Sequence, residues 1–211
     1  MVSQAKVARD IHNELSGLNM GKVFSAIEGQ LRECYGRAVY SHKTHEKCAD
    51  ILLTRLGRIK LLQIFLSAIT TGSFLTTIVG SGNEAAVVGV VVSTALLVLN
   101  AYTKDYDLGE LAQKHKQAAN DIWLLREQYL SLLTDLASRS KSDEDVRAER
   151  DRLVVALHAV YAGSPSTTYA AYRRAQESLK HNEEMTFSDG EIDAFLPAQL
   201  RSVSSQVDRP K

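Results

Sequence analysis

Two groups of residues in this 211-residue chain have types and spacings that could do chemistry. The first is Gly80-Ser81-Gly82-Asn83-Glu84-Ala85, which has the form G-x-G-x-x-A after an apolar run. In a dinucleotide-binding loop such glycines make a tight turn and let the backbone approach a pyrophosphate at a helix N-terminus. Asp105 and Asp107 stand near the offset, about 20 residues on, at which an acid would hold a ribose. The second group is His42, His45, Glu46, Cys48 and His115, whose nitrogen, sulfur and oxygen donors suit a transition metal. Their spacing matches no strong zinc pattern, and polar residues in a helical seam more often fix register or oligomeric state. No Ser/His/Asp or Cys/His arrangement has a scaffold to support it. The 25 acidic residues single out no carboxylate pair. The sequence therefore assigns no catalytic residue, no metal and no cofactor, and takes His45, Cys48 and His115 as a polar seam.

The elements that must position these residues decide against the nucleotide loop. Residues 61–83 carry no charge, and after Glu84 neither do 85–103. As helices these runs would span roughly 34 and 28 Å, against a hydrocarbon core of about 30 Å. A dinucleotide fold needs a short strand before the glycines and an amphipathic helix after them. Here 19 uncharged residues precede Gly80 and the following helix is apolar all round. No further strand–helix alternation follows, so no parallel sheet can form. A membrane hairpin asks only for a tight polar turn, which residues 80–84 supply with Gly and Asn, both tolerant of positive φ. Lys47, Arg55, Arg58 and Lys60 precede the first span and Lys104, Lys114 and Lys116 follow the second. The positive-inside rule then puts both ends in the cytoplasm and the turn outside. Tyr102 and Tyr106 fall at the inner interface, where amphipathic aromatics are favoured.

The two spans, 61–79 and 85–103, differ in character. On the first, Gln63, Ser67, Thr70 and Thr77 fall within about 40° of one line, with Phe74 among them. Such a stripe could line a pore with a dewetting constriction at Phe74. Alternatively, the hydroxyls bond their own backbone or join helices. On the second, Ala85, Gly89 and Ser93 recur at a spacing of four, with Leu96 and Asn100 on the same side. Small residues so placed let helices approach closely, within the hairpin or between subunits.

Outside the spans the period is helical. One 3–4 alternation runs Phe24, Ile27, Leu31, Cys34, Ala38, Ser41, His45, Cys48, Leu52, Arg55, Ile59. Another runs Leu108, Leu111, His115, Ala118, Ile122, Leu125, Tyr129, Leu132, Leu136. Both last four heptads or more, which predicts coiled-coil-like packing of two antiparallel helices. Counting outward from Lys60 and Lys104 brings His45 and Cys48 near His115. The expected division is an N-terminal arm at 1–22, a cytoplasmic helix at 23–60, the transmembrane hairpin at 61–103 and a long cytoplasmic helix at 104–140. C-terminal helices follow at 141–200 and a flexible tail at 201–211. Ser142 or Asp143 should cap one helix, Gly163-Ser164-Pro165 should end it, and Pro165 or Ser166 should open the next. A short piece is expected from Asp189 to Leu200. Cys34 and Cys48 contain no CxxC and read as small core residues of a chain in reducing cytosol. The N-terminal stretch has no apolar region of a cleaved signal. Net charge is zero, with 25 basic and 25 acidic residues, so no global bias toward nucleic acid exists.

The segment TRLGRIK, the paired spans and the stretch TKDYDLGELAQKHKQAANDIWLLREQYLSLLTDL together resemble the SLATT proteins. These are bacterial two-transmembrane effectors associated with nucleotide-signalling components. The stretch AYRRAQESLK followed by EEMTFSDGEIDAFLPAQLR is similar to the C-terminal part of one subfamily. The resemblance covers about 21–201. It implies an inner-membrane effector of anti-phage or conflict systems that oligomerises and opens a pore or disrupts the membrane when signalled. The implied partner makes or senses a nucleotide, such as a cyclic-oligonucleotide synthase or a reverse-transcriptase system, and no catalytic residues are implied. The expectation is thus an all-α membrane protein, a two-helix hairpin extended by a cytoplasmic antiparallel helical bundle. It would work as a homo-oligomeric, pore-forming, non-enzymatic effector in the lipid bilayer, without direct contact to nucleic acid. The rival is a membrane-anchored scaffold or sensor that recruits a partner and conducts nothing.

Overall fold

A computed structural model describes the backbone of residues 2–80, 83–182, 184–185, 187–195 and 197, with side chains from residue 26 onward. Six helices follow one another: α1 (Val2–Val79), α2 (Glu84–Asp105), α3 (Leu108–Ser138), α4 (Asp143–Gly163), α5 (Tyr169–Lys180) and α6 (Asp189–Phe195). No strand occurs among the described residues. α1 has no Pro to interrupt its hydrogen-bond ladder. It therefore runs unbroken through the expected boundaries at 22/23 and 60/61. Phe24, Ser81, Gly82, Leu200 and the tail at 201–211 lie outside the residues whose side chains are described.

α1 packs antiparallel against α2 and then α3, while α5 lies on α1 and α4 on α3. The chain departs from helix at Tyr106 (φ −114°, ψ 84°) and Asp107 (φ −73°, ψ 89°), which separates α2 from α3. The Asp107 carboxylate accepts the Glu110 backbone N–H at 2.9 Å, so it caps the new helix. The long helix expected from 104 thus begins at Leu108. α4 starts on Ser142, whose hydroxyl accepts the Asp145 N–H, and ends at Gly163, as expected. α5 opens later than expected, at Tyr169. Thr168 provides its cap by accepting the Ala171 N–H, while Pro165 and Ser166 stay outside the helix.

The core lies at the membrane-distal end of the bundle. Ile27, Leu31 and Cys34 of α1 meet Leu125, Tyr129, Leu132 and Leu136 of α3, with Val146 and Leu153 of α4 closing the layer. Nearer the hairpin many buried residues are small, Ala38, Cys48 and Ala49 on α1 and Ala112, Ala118 and Ala119 on α3, interspersed with Leu108, Ile122 and the buried histidines. Small side chains let the helix axes approach, which brings polar neighbours into direct contact. Two expected seam positions fail: Arg55 on α1 is exposed, and on α3 Leu111 is 37 % exposed and Ala112 is buried in its place. A stripe repeating every 3.5 residues precesses around a 3.6-residue helix by about 20° per heptad. The stripe on α3 has turned away from Leu111 at this end.

Candidate functional site: the hairpin and the polar seam below it

α1 beyond residue 60 and the whole of α2 form the hairpin. Gly80 closes α1 by donating its N–H to the Thr76 carbonyl at 2.8 Å. A Cβ at Gly80 would meet that same oxygen at 2.8 Å, so the turn requires glycine here for space. Its positive-φ freedom is not used: no described glycine has positive φ, and Asn83 sits at φ −78°. Glu84 belongs to the first turn of α2 rather than to the loop, where its carboxylate faces the positive end of the helix dipole.

The inter-helix seam uses Gln63, Leu66, Thr70 and Ser73 of α1 against Ala85, Gly89, Val92, Leu96 and Leu99 of α2, all partly buried. The helices come close at Gly89, where a Cβ would lie 3.2 Å from the Ser73 Cβ. The predicted polar stripe is therefore divided. Gln63 and Thr70 face α2, whereas Ser67, Phe74 and Thr77 point outward, Phe74 with 67 % of its surface exposed. Gln63 Nε2 donates to Asn100 Oδ1 at 2.8 Å and to Thr103 Oγ1 at 3.4 Å. Ser67, Thr70 and Thr77 each donate to the carbonyl four residues back, at 2.8, 2.9 and 2.8 Å. Such back-bonding leaves no hydroxyl proton unsatisfied in hydrocarbon.

Of the predicted packing stripe, Ala85 and Gly89 face α1 and Asn100 reaches it through Gln63. Ser93 does not: it is exposed and donates to its own Val90 carbonyl at 3.0 Å. A strict spacing of four drifts about 40° per step, so the row leaves the seam. The 3–4 alternation through Val92, Leu96 and Leu99 keeps it.

At the foot of the hairpin, Arg55 Nη2 donates to the Tyr102 hydroxyl at 2.9 Å, and its guanidinium carbon lies 5.9 Å from that ring's centre. Tyr102 stacks on Tyr106 at 5.1 Å. Below this, His45 Nδ1 and His115 Nδ1 are 2.9 Å apart, both buried, across the α1–α3 seam. Two Nδ1 atoms so close share one proton: one ring donates and the other accepts. Burial, with His115 and His42 adding repulsion, depresses the His45 pKa to about 4, and burial lowers His115 as well. Cys48 is buried one turn along. His42 is also buried, and its Nδ1 has no hydrogen-bond partner. Its pKa is lowered by burial, with Glu46 opposing. Among the described residues no three His, Cys, Asp or Glu side chains gather as a metal site requires.

The sequence reading missed a clasp beside the histidines. Glu184, after α5, accepts from Lys43 Nζ at 2.6 Å and Lys47 Nζ at 3.5 Å, and the Lys43 contact holds its pKa down to about 2. The next residue, Met185, takes a contact from Arg126 of α3 to its sulfur at 3.7 Å. One short segment thus touches both long helices. A loop residue has no periodicity by which this pairing could have been read.

The apolar windows of α1 and α2 are long enough to cross a membrane and almost none of either is buried. Phe65, Phe74, Ile78, Val90 and Leu97 all lie more than half exposed, an apolar surface that water would not tolerate at this extent. A family model, the SMODS and SLOG-associating 2TM effector domain family 4, matches residues 27–191. The chain belongs to this SLATT family. It is accordingly an all-α membrane protein whose two spans are the hairpin helices, with the role of a membrane effector that the family's description carries. Comparison with curated proteins and with solved structures returns no significant match.

Proposed function

We propose that this chain is a pore-forming or membrane-disrupting effector of bacterial anti-phage defence, acting at the inner membrane with both termini in the cytoplasm. In this reading it assembles as a homo-oligomer and has no enzymatic activity. A nucleotide-second-messenger synthase, a sensor or a reverse-transcriptase system activates it, and it does not bind nucleic acid itself. The observation that carries the reading is the outward flank Ser67–Phe74–Thr77. A hairpin of two helices encloses no channel, so a polar flank broken by one large aromatic is used only when copies meet around it. There, Ser67 and Thr77 offer hydroxyl oxygens to water and Phe74 narrows the path. Gln63 and Thr70 then act one layer back, holding α2 in place. The basic residues on both sides of the hairpin foot support the orientation.

Single-channel recording in planar bilayers tests this reading. Discrete conductance steps are expected, and Thr77→Val should reduce their amplitude. A second reading, a non-conducting scaffold that recruits a partner through its bundle, draws on the fact that every hydroxyl of the stripe is already satisfied internally. It predicts a silent bilayer and unchanged partner recruitment by Thr70→Val and Thr77→Val.

A further inference from the structure

Where the hairpin meets the bundle, one flank carries two arginines and two tyrosines. Arg58 follows Arg55 by three residues, about 60° around the helix, so the two side chains leave α1 on the same flank. Lys60 lies about 140° from Arg55, on the opposite flank. Both arginines are exposed, and among the described residues neither makes an ion pair. In the bundle Arg32, Arg37, Arg126 and Arg152 find carboxylates, while Arg147, Arg173 and Arg174, like Arg55 and Arg58, form no ion pair among the described residues. Arg55 is nevertheless fixed, by the Tyr102 hydroxyl at 2.9 Å and by the Tyr102 ring face. That hydroxyl accepts from Arg55 and keeps its own proton to donate.

Depth decides what this flank meets. The apolar run begins at residue 61, so Arg58 and Arg55 lie roughly 4.5 and 9 Å below the hydrocarbon edge, within and at the rim of the headgroup layer. A held guanidinium, a second guanidinium one turn away and a phenol proton together offer a fork of donors suited to phosphate oxygens.

We propose that Arg55, Arg58 and Tyr102 form a binding site for the phosphate group of an anionic phospholipid, with Tyr102 positioning Arg55 and Tyr106 packing behind it. The site rests on the hairpin crossing a membrane and is independent of whether the protein conducts. The test reconstitutes the full chain in nanodiscs of phosphatidylcholine containing a minor fraction of phosphatidylglycerol. Native mass spectrometry then measures the lipid retained after detergent extraction. Wild type should retain phosphatidylglycerol over phosphatidylcholine by roughly tenfold or more, as expected for two basic contacts at the surface. Arg55→Gln with Arg58→Gln should abolish the preference, Tyr102→Phe should weaken it, and Lys60→Gln should leave it intact. Arg58→Gln alone breaks no hydrogen bond or ion pair among the described residues and keeps the test valid if the double variant is unstable.

An undiminished preference in the arginine variants, or an equal loss in Lys60→Gln, would overturn the proposal in favour of diffuse attraction. So would equal thermal stabilisation by inorganic phosphate in detergent, since the site would then take the free anion. Failure to incorporate into pure phosphatidylcholine would count against the membrane hairpin itself. Incorporation without lipid preference overturns this site alone.

Discussion

His45 and His115 meet nitrogen to nitrogen in the interior of the α1–α3 seam, and their chemistry follows from the single proton they share. A second proton would set two N–H groups against each other in a buried site. The folded-state pKa of His45 is about 4, against 6.5 unperturbed. The folded protein therefore binds fewer protons than the unfolded chain between these values. The contribution is complete above pH 6.5 and is lost as pH falls toward 4, for a total of roughly 3 kcal/mol. Thermal unfolding of the detergent-solubilised protein should accordingly show a lower midpoint at pH 5 than at pH 7.5. His45→Leu with His115→Leu should flatten that difference, and an unchanged pH slope in the double variant would contradict the pairing. Glu184 behaves oppositely in cause though not in sign. Its pKa of about 2 means that its contacts with Lys43 and Lys47 persist until strongly acid conditions. Glu184→Gln should therefore speed amide hydrogen exchange in the last turn of α5 several-fold while leaving the slope between pH 5 and 7.5 unchanged.

At the scale of the helices, the hairpin depends on close approach at Gly89 and on the bond from Gln63 to Asn100. Gly89→Ala needs Ser73 to give way by a few tenths of an ångström, whereas Gly89→Leu must part the helices. A cost of about 1–3 kcal/mol is expected for the larger side chain. It would be read as a lowered unfolding midpoint in detergent, with Ser93→Leu on the exposed side as the neutral comparison. These elements were legible to different degrees. The spans could be read because membrane hydrocarbon imposes length and excludes charge. The facing of His45 and His115 could be read by counting from the two charged edges, because helices joined by a short turn keep register. Ser93 and Leu111 misled because a fixed spacing or heptad row drifts around a 3.6-residue helix. The Lys43–Glu184 clasp was invisible because it joins a loop to a helix across 141 positions of sequence with no repeating pattern.

For the whole molecule, the distribution of polar and apolar surface is what the proposed function draws on. The bundle gathers its large apolar cluster far from the membrane and mixes alanines and buried histidines with Leu108 and Ile122 in the layers nearer it. The hairpin exposes mostly apolar surface, with Ser67 and Thr77 forming a polar flank on α1 and Thr71, Thr76, Ser93 and Thr94 as further exposed hydroxyls. In the proposed assembly the flanks of several copies converge, the bundle keeps them shut, and Phe74 is the narrowest point.

The most direct measurement is dye release from liposomes reconstituted with the purified chain. Phe74→Ala removes the constriction without touching any seam residue, so it should leak several-fold faster than wild type even without an activating partner. Adding Thr77→Val should slow that leak again. Vesicles that stay equally tight with wild type and with Phe74→Ala, under every condition that alters the bundle, would contradict a permeation path along this flank.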